Sequence, residues 1–489
     1  MSFPPRDPKE VEQAESRSKD FQVSRLLMNL DEEGCPICRE TSGSDKRYFF
    51  WFFHENHGTL ETLDALTRSL GFCSAHGAQA VLHPIAQSPL TAVHEVLARR
   101  IGPILSREAS TRERGKDTVS VLAASDRCPA CRNRDEAVGR AASFLAAGLN
   151  DPSGMDRYAH PGLLCFPHLQ AIAPRLSAPV LGRILSVHES TMVSAMESFT
   201  NPHGITSGTS SLEWNDPDST ILRALHLVAD NNKRLDLYPI GRISGGSPAA
   251  RDPVGDFLEM LSNEDGCPVC TEVRRAWTEW MEWLEDAVPS SWEVKDVLPA
   301  CPEHVWEAVH RGNAPLAVES VRKIVNAVLD QVRLGIEILA PSASPDRGRV
   351  LLRIGHAIWG SNRRLRVTRD IIGRPLPCPV CNRLAVARDR ILALFFALLE
   401  APHHRASFER GYGFCLKHFS RAMVLRPSPS VRAILAEVEA ARLGCLQWEL
   451  EESLRKDAWM YRPEAAGTEH TAWRRAVQRF SGSFGEGSG

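Results

Sequence analysis

The chain has 489 residues, enough for several separate cores, and its 43% hydrophobic and 24% charged composition excludes a collagen-like or wholly disordered polypeptide. With 58 Lys and Arg against 60 Asp and Glu, the formal charge is −2, which provides no global attraction for a polyanion. The polar start, MSFPPRDPKEVEQAESRSKDF, lacks the apolar core of a signal peptide. The longest strongly apolar run, ILALFFALL (391–399), is far short of the roughly twenty residues of a bilayer span. The expectation is a cytoplasmic protein without a membrane span, in a reducing compartment where neighbouring cysteines hold metal more often than they form disulfides.

Taken in chain order, the first 20 residues are expected to form a flexible tail, and then a pattern starts that recurs four times. It reads CPIC (35–38) with CSAH (73–76), CPAC (128–131) with CFPH (165–168), CPVC (267–270) with CPEH (301–304), and CPVC (378–381) with CLKH (415–418). The intervening stretches hold 34, 33, 30 and 33 residues, and a proline follows the first cysteine each time: Pro36, Pro129, Pro268 and Pro379. Twelve of the thirteen cysteines fall into this pattern. Cys445, the one left over, reads as a buried, inert thiol.

Each copy extends past its ligands. A further proline (Pro89, Pro179, Pro315, Pro429) precedes a long run with apolar residues at three- and four-residue spacing, as in Val318, Val321, Val325 and Val328. Proline suits the first position of a helix, so these mark helix starts. The fold class expected is mainly α: four tandem helical modules, each stapled by its own Cys3His metal site at the base of a helical hairpin. The boundaries are module one at 21–110, module two at 111–200, a linker at 201–250, module three at 251–345, module four at 346–460 and a flexible tail at 461–489. DEEGCPIC and NEDGCPVC match each other best, which suggests two duplicated halves on either side of the linker.

Three thiolates and one imidazole form a closed tetrahedral set for zinc, with no position left for substrate. The ligands are therefore Cys35, Cys38, Cys73, His76, Cys128, Cys131, Cys165, His168, Cys267, Cys270, Cys301, His304, Cys378, Cys381, Cys415 and His418, and the cofactor expected is four Zn2+. Thiolate-rich sites also hold iron–sulfur clusters, so up to four clusters remain the alternative. Twelve thiolates with four divalent ions move the formal charge from −2 to about −6.

Other features have simpler readings. The six aromatics Tyr48 to Phe53 fit a buried first helix better than a lipid- or ligand-facing surface. The stripe Trp277, Trp280, Trp283 fits packing between modules. Residues 347–390 carry eleven arginines and two acidic residues, Asp370 and Asp389. Arg363, Arg364, Arg366 and Arg369 are the best candidates for phosphate or partner contact, against a solvated face as the alternative. His54, His57, His160, His403 and His404 keep no common offset from the ligands and read as ordinary loop and surface histidines. No nucleotide-binding, zincin or nucleophile-elbow signature is present, and His94-Glu95 and His188-Glu189 lack the second histidine of a zincin.

Across roughly 25–455, the Cys-Pro-x-Cys and Cys-x-x-His residues resemble those of uncharacterised bacterial proteins with helical metal-binding modules. The resemblance implies metal binding and brings no activity with it. Three functional classes follow: a zinc-stapled helical scaffold for a protein partner, an iron–sulfur electron-transfer or redox-sensing protein, and a nucleic-acid-associated protein using the arginines of 347–390. The first is preferred, and no catalytic residue is assigned.

Overall fold

The computed structural model describes residues 19–110, 126–158, 162–200, 220–229, 265–287, 298–299, 301, 304–306, 308, 314–340, 362–461 and 463–482. The mainly α expectation holds, with no strand among the described residues. In chain order the helices are α1 (Pro36–Thr41), α2 (Ser44–Trp51) running into a π-helical turn (Phe52–Asn56), α3 (Leu60–Arg68), α4 (Ser74–Val81) and α5 (Gln87–Ser110). They continue with α6 (Pro129–Leu149), α7 (Pro152–Asp156), α8 (Phe166–Ile172), α9 (Ala178–Thr200), α10 (Thr220–Val228), α11 (Pro268–Ala287) and α12 (Ala314–Leu339). The last are α13 (Pro379–Leu399), α14 (Pro402–Arg410), α15 (Leu416–Val424), α16 (Pro429–Asp457) and α17 (Ala472–Ser481).

Local chemistry sets these boundaries. The proline of every Cys-Pro-x-Cys is the first residue of a helix (α1, α6, α11, α13), where its missing N–H costs nothing. The second prolines lie within the first three residues of α5, α9, α12 and α16, and Ser428 caps α16 by accepting from the Val431 N–H. Thr59 caps α3 in the same way through Thr62.

The chain divides into two compact units, each made of three separated segments. The first comprises the described residues of Met1–Gly43, Asp135–Arg234 and Trp283–Val380. Its centre is the antiparallel pair α9 and α12, in which Arg333 meets Glu189 at 2.9 Å. Gly335 lies in a tight contact, since a Cβ there would be 3.2 Å from both Leu185 and Thr368. Helix α10, which lies inside the stretch 201–250, packs on α9 and α12 with Ala224, Leu225 and Val228 buried. That part of the expected linker is therefore core, and the rest of it falls outside the described residues.

The second unit comprises the described residues of Ser44–Arg134, Leu235–Glu282 and Cys381–Gly489. Its spine is α5 against α16, antiparallel because Glu108 meets Arg432 at one end and Arg99 approaches Glu451 further along. The aromatic run packs as expected at Tyr48, Phe49, Phe52 and Phe53, which are buried, whereas Phe50 and Trp51 face solvent. The stretch 461–489, expected to be a flexible tail, contains a packed helix. In α17 the residues Trp473, Ala476, Val477 and Phe480 are buried against α4, α5 and α16. Their one-sided spacing marks an amphipathic helix that the polar composition of the tail conceals.

A buried ion pair holds this closing helix. Arg479 reaches Glu439 of α16 at 3.1 Å, and its guanidinium also donates to the carbonyls of Phe414 and Tyr412. It stacks on the Tyr412 ring at 3.8 Å, while Glu439 accepts from the Phe414 N–H at 2.6 Å. Burial raises the Glu439 carboxyl to about 7, and Arg479 opposes that rise. Removing one member of such a pair leaves an uncompensated charge. Arg479→Met should therefore lower stability by about 3–5 kcal/mol in denaturant melts, and an unchanged melt would rule out a structural role for the pair.

Candidate metal centres

Seven of the eight ligand motifs are helix starts, and the eighth, Cys301 with His304, falls partly outside the described residues. Cys35 precedes α1, whose third residue is Cys38; Cys73, Cys165 and Cys415 precede α4, α8 and α15, whose third residues are His76, His168 and His418. One motif thus offers two donors at a helix N-terminus, where free N–H groups and the helix dipole favour thiolate over thiol.

The sixteen predicted ligands form four sets, and in each set the donor atoms all lie within 4.8 Å of one another. The expected Cys3His composition is right, but the pairing of motifs is not. Cys35 and Cys38 meet Cys165 and His168, and Cys128 and Cys131 meet Cys73 and His76. Likewise Cys267 and Cys270 meet Cys415 and His418, and Cys378 and Cys381 meet Cys301 and His304. No Cys-Pro-x-Cys pair joins the Cys-x-x-His that follows it. Copies one and two exchange partners, and copies three and four do the same. An ion held by these sets would therefore not close a local hairpin.

The geometry repeats from set to set. Cys35, Cys38 and Cys165 place their sulfurs 3.3, 3.2 and 3.1 Å from Nδ1 of His168, with Cys38 and Cys165 3.7 Å apart. Around His76 the Nδ1 distances are 3.2 Å to Cys73, 3.6 Å to Cys128 and 3.3 Å to Cys131, with 3.8 Å between Cys73 and Cys131. Around His418 they are 3.4 Å to Cys267, 3.4 Å to Cys270 and 3.3 Å to Cys415, with 3.8 Å between Cys270 and Cys415. His304 lies 3.1 Å from Cys301 and 3.6 Å from Cys378. In all four, Nδ1 faces the sulfurs.

The charge distribution suits a cation. Burial alone would raise Cys35, yet hydrogen bonds from Cys165, Cys38 and His168 hold it well below the ordinary thiol value. Burial and the neighbouring sulfurs push Cys165 well above it. Three thiols so close cannot all ionise unless a positive ion shares the site. His76 shows the complementary effect: burial would lower it, but Asp45 and the sulfurs raise it to about 11. Asp45 lies 3.4 Å from His76 Nε2 and 3.7 Å from Arg134, an arrangement that would orient the imidazole for a metal on its Nδ1 side. The sequence carries no signal for Asp45, because its partner is remote along the chain.

Lys417, between Cys415 and His418, donates to the Ser69 carbonyl four residues before Cys73. Two centres of the second unit thus share a structural link. Gly482, at φ +81°, closes the end of α17 beside Cys270 and Cys415, and a Cβ there would sit 3.5 and 3.6 Å from their sulfurs.

The remaining candidates resolve individually. Arg369 donates to the carbonyls of Ala173 and Leu176, and Arg364 to that of Ala340, so both serve as backbone anchors. Arg363 and Arg366 are exposed, and Arg347, Arg349 and Arg353 lie outside the described residues, as does His160. Cys445 is exposed, contrary to the expectation of a buried thiol, because it lies on the outer face of α16. Trp277 is buried as expected, whereas Trp283 is exposed. Cys381 is the one exposed ligand, and Cys73 and Cys301 are partly exposed.

His94 and His188 are structural. His94 bonds through Nδ1 to the Leu90 carbonyl at 2.7 Å, and His188 meets the Tyr158 hydroxyl at 2.9 Å. Burial lowers each to about 4.

No family model, no curated protein and no solved structure matches this chain.

The exchanged pairing makes a stoichiometric prediction. Cys35→Ser combined with Cys165→Ser should remove one metal equivalent, and Cys35→Ser combined with Cys73→Ser should remove two. Elemental analysis of the purified variants distinguishes them, and local pairing would give the reverse.

The low value of His94 has a pH consequence. An unfolded histidine titrates near 6.5, so between about 6.5 and 4 the unfolded chain binds the extra proton and stability falls with pH. The loss attributable to His94 between pH 7 and pH 5.5 should be about 1 kcal/mol, absent in His94→Leu, as measured by denaturation at the two pH values.

Proposed function

We propose that this protein is a multi-site zinc scaffold: four structural Cys3His ions cross-link a helical framework that presents a surface to a protein partner. The four groups could bind metal. The observation carrying zinc is the sulfur–sulfur spacing of 3.7–3.8 Å. A tetrahedron with Zn–S of about 2.3 Å has S···S edges of about 3.8 Å. An iron–sulfur cluster places several irons and sulfides among its ligands and spreads the donor atoms further apart than one ion does.

A bound zinc ion supplies charge neutralisation and a fixed geometry for its four donors. The protein supplies all four donors in each set, so nothing in these centres is reserved for a substrate. The functional surface then lies elsewhere. Support for a protein partner comes from large apolar side chains left in solvent, including Phe50, Trp448, Trp459 and Met460, since aromatic residues and methionine are enriched where proteins meet. No helix among the described residues is long and apolar enough to cross a membrane.

Metal analysis of protein purified without added metal should return four zinc equivalents and no visible chromophore. Stripping them with a strong chelator should abolish cooperative thermal unfolding, since structural zinc can contribute on the order of 10 kcal/mol per site. Brown protein containing iron and acid-labile sulfide would overturn the zinc reading.

A further inference from the structure

The four sets share one motif chemistry but differ in access. The second cysteine of Cys-Pro-x-Cys occupies the third position of its helix each time, and Cys38, Cys131 and Cys270 are 4%, 2% and 1% exposed. Their counterpart Cys381 is open to solvent, and its set partner Cys301 is partly so. The same residue in the same role is thus sealed three times and left accessible once.

Oxidation of a thiolate requires that the oxidant reach the sulfur, and a metal-bound thiolate keeps its nucleophilic electron pair. We propose, building on the metal-binding reading, that the set Cys301, His304, Cys378 and Cys381 is a peroxide-responsive centre that releases its ion when the Cys378–Cys381 pair is oxidised. The oxidant is a hydroperoxide. The Cys381 sulfur attacks one peroxide oxygen, the O–O bond breaks, and hydroxide leaves with the bonding pair, so that Cys381 becomes a sulfenic acid. The Cys378 sulfur then attacks the Cys381 sulfur, forms the S–S bond and displaces a second hydroxide. Two thiolates have lost two electrons, and the peroxide has gained them.

Both sulfurs lie within the 4.8 Å span of the set, on the first turn of α13 and the residue before it. The disulfide takes two of the four donors from the ion and leaves Cys301 and His304 unable to hold it alone. Loss of the ion releases Cys301 and His304 from Cys378. In the other three sets the equivalent cysteines are sealed, and although Cys73 is partly exposed, its set offers no exposed sulfur, so those ions outlast the first oxidation.

The experiment uses full-length, metal-loaded protein carrying Cys445→Ser, which removes the exposed cysteine outside the four sets. Metal content is measured first, and hydrogen peroxide is then added below one equivalent per chain. Released zinc is followed with a chromogenic chelator, and the cysteines are mapped by differential alkylation and peptide mass spectrometry. The expected result is release of up to one equivalent of the four, a disulfide between Cys378 and Cys381, and oxidation there about tenfold faster than at any sealed motif cysteine. Thiol reductant and zinc should restore the starting state, and Cys381→Ser should abolish the disulfide while the other three sets keep their metal. A first disulfide in another set, simultaneous release of all four ions, or equal oxidation of all motif cysteines would overturn this proposal and leave metal binding intact. Protein containing no metal at the outset would overturn both.

Discussion

The structure depends on the meeting of helix N-termini around clustered thiols. A Cys-Pro-x-Cys motif starts one helix, a Cys-x-x-His motif starts another, and three of the four donor sets form where two such starts face each other. Sulfurs 3.7–3.8 Å apart would repel once ionised, so three thiolates could share such a set only with a positive charge among them. Each centre then joins chain segments that are far apart in sequence: Cys38 and Cys165 are 127 residues apart, and Cys267 and His418 are 151 apart. Ions bound there would act as long-range cross-links, and the two compact units are each assembled from three separate stretches of chain.

Around the second unit's centres, ordinary protein interactions complete the work. Arg479 and Glu439 grip the backbone of Tyr412 and Phe414 directly before Cys415, which fixes where that ligand starts its helix. Gly413 between them has φ +77°, and a Cβ there would lie 2.6 Å from Glu439, so only glycine permits this close approach. Asp45 performs a comparable service for His76. Such partners decide how rigidly a site is held, and here they come from elements remote in sequence.

Much of the centre was legible because its chemistry is local. Two donors three residues apart need nothing beyond their own turn, so the members of all four donor groups could be named from spacing. The proline-marked long helices were legible for the same reason. The closing helix α17 was concealed by its composition, since glycine- and arginine-rich surroundings outweighed a short apolar stripe. The spare Cys445 was misjudged because exposure is decided by the neighbouring helix and not by residue type.

The sequence by itself determined a helical protein with four Cys3His donor sets, and it named their members. Only the tertiary structure decided which motif meets which. The physical reason is that loop-closure entropy grows slowly with length. Closing a loop of 127 residues in place of one of 34 costs only about 1 kcal/mol more, so proximity in the chain barely favours the local partner. Helix direction and packing then settle the choice, and they separate each Cys-Pro-x-Cys from the Cys-x-x-His that follows it. They also set the exposure of each centre, leaving Cys381 open where three sealed counterparts carry the same motif.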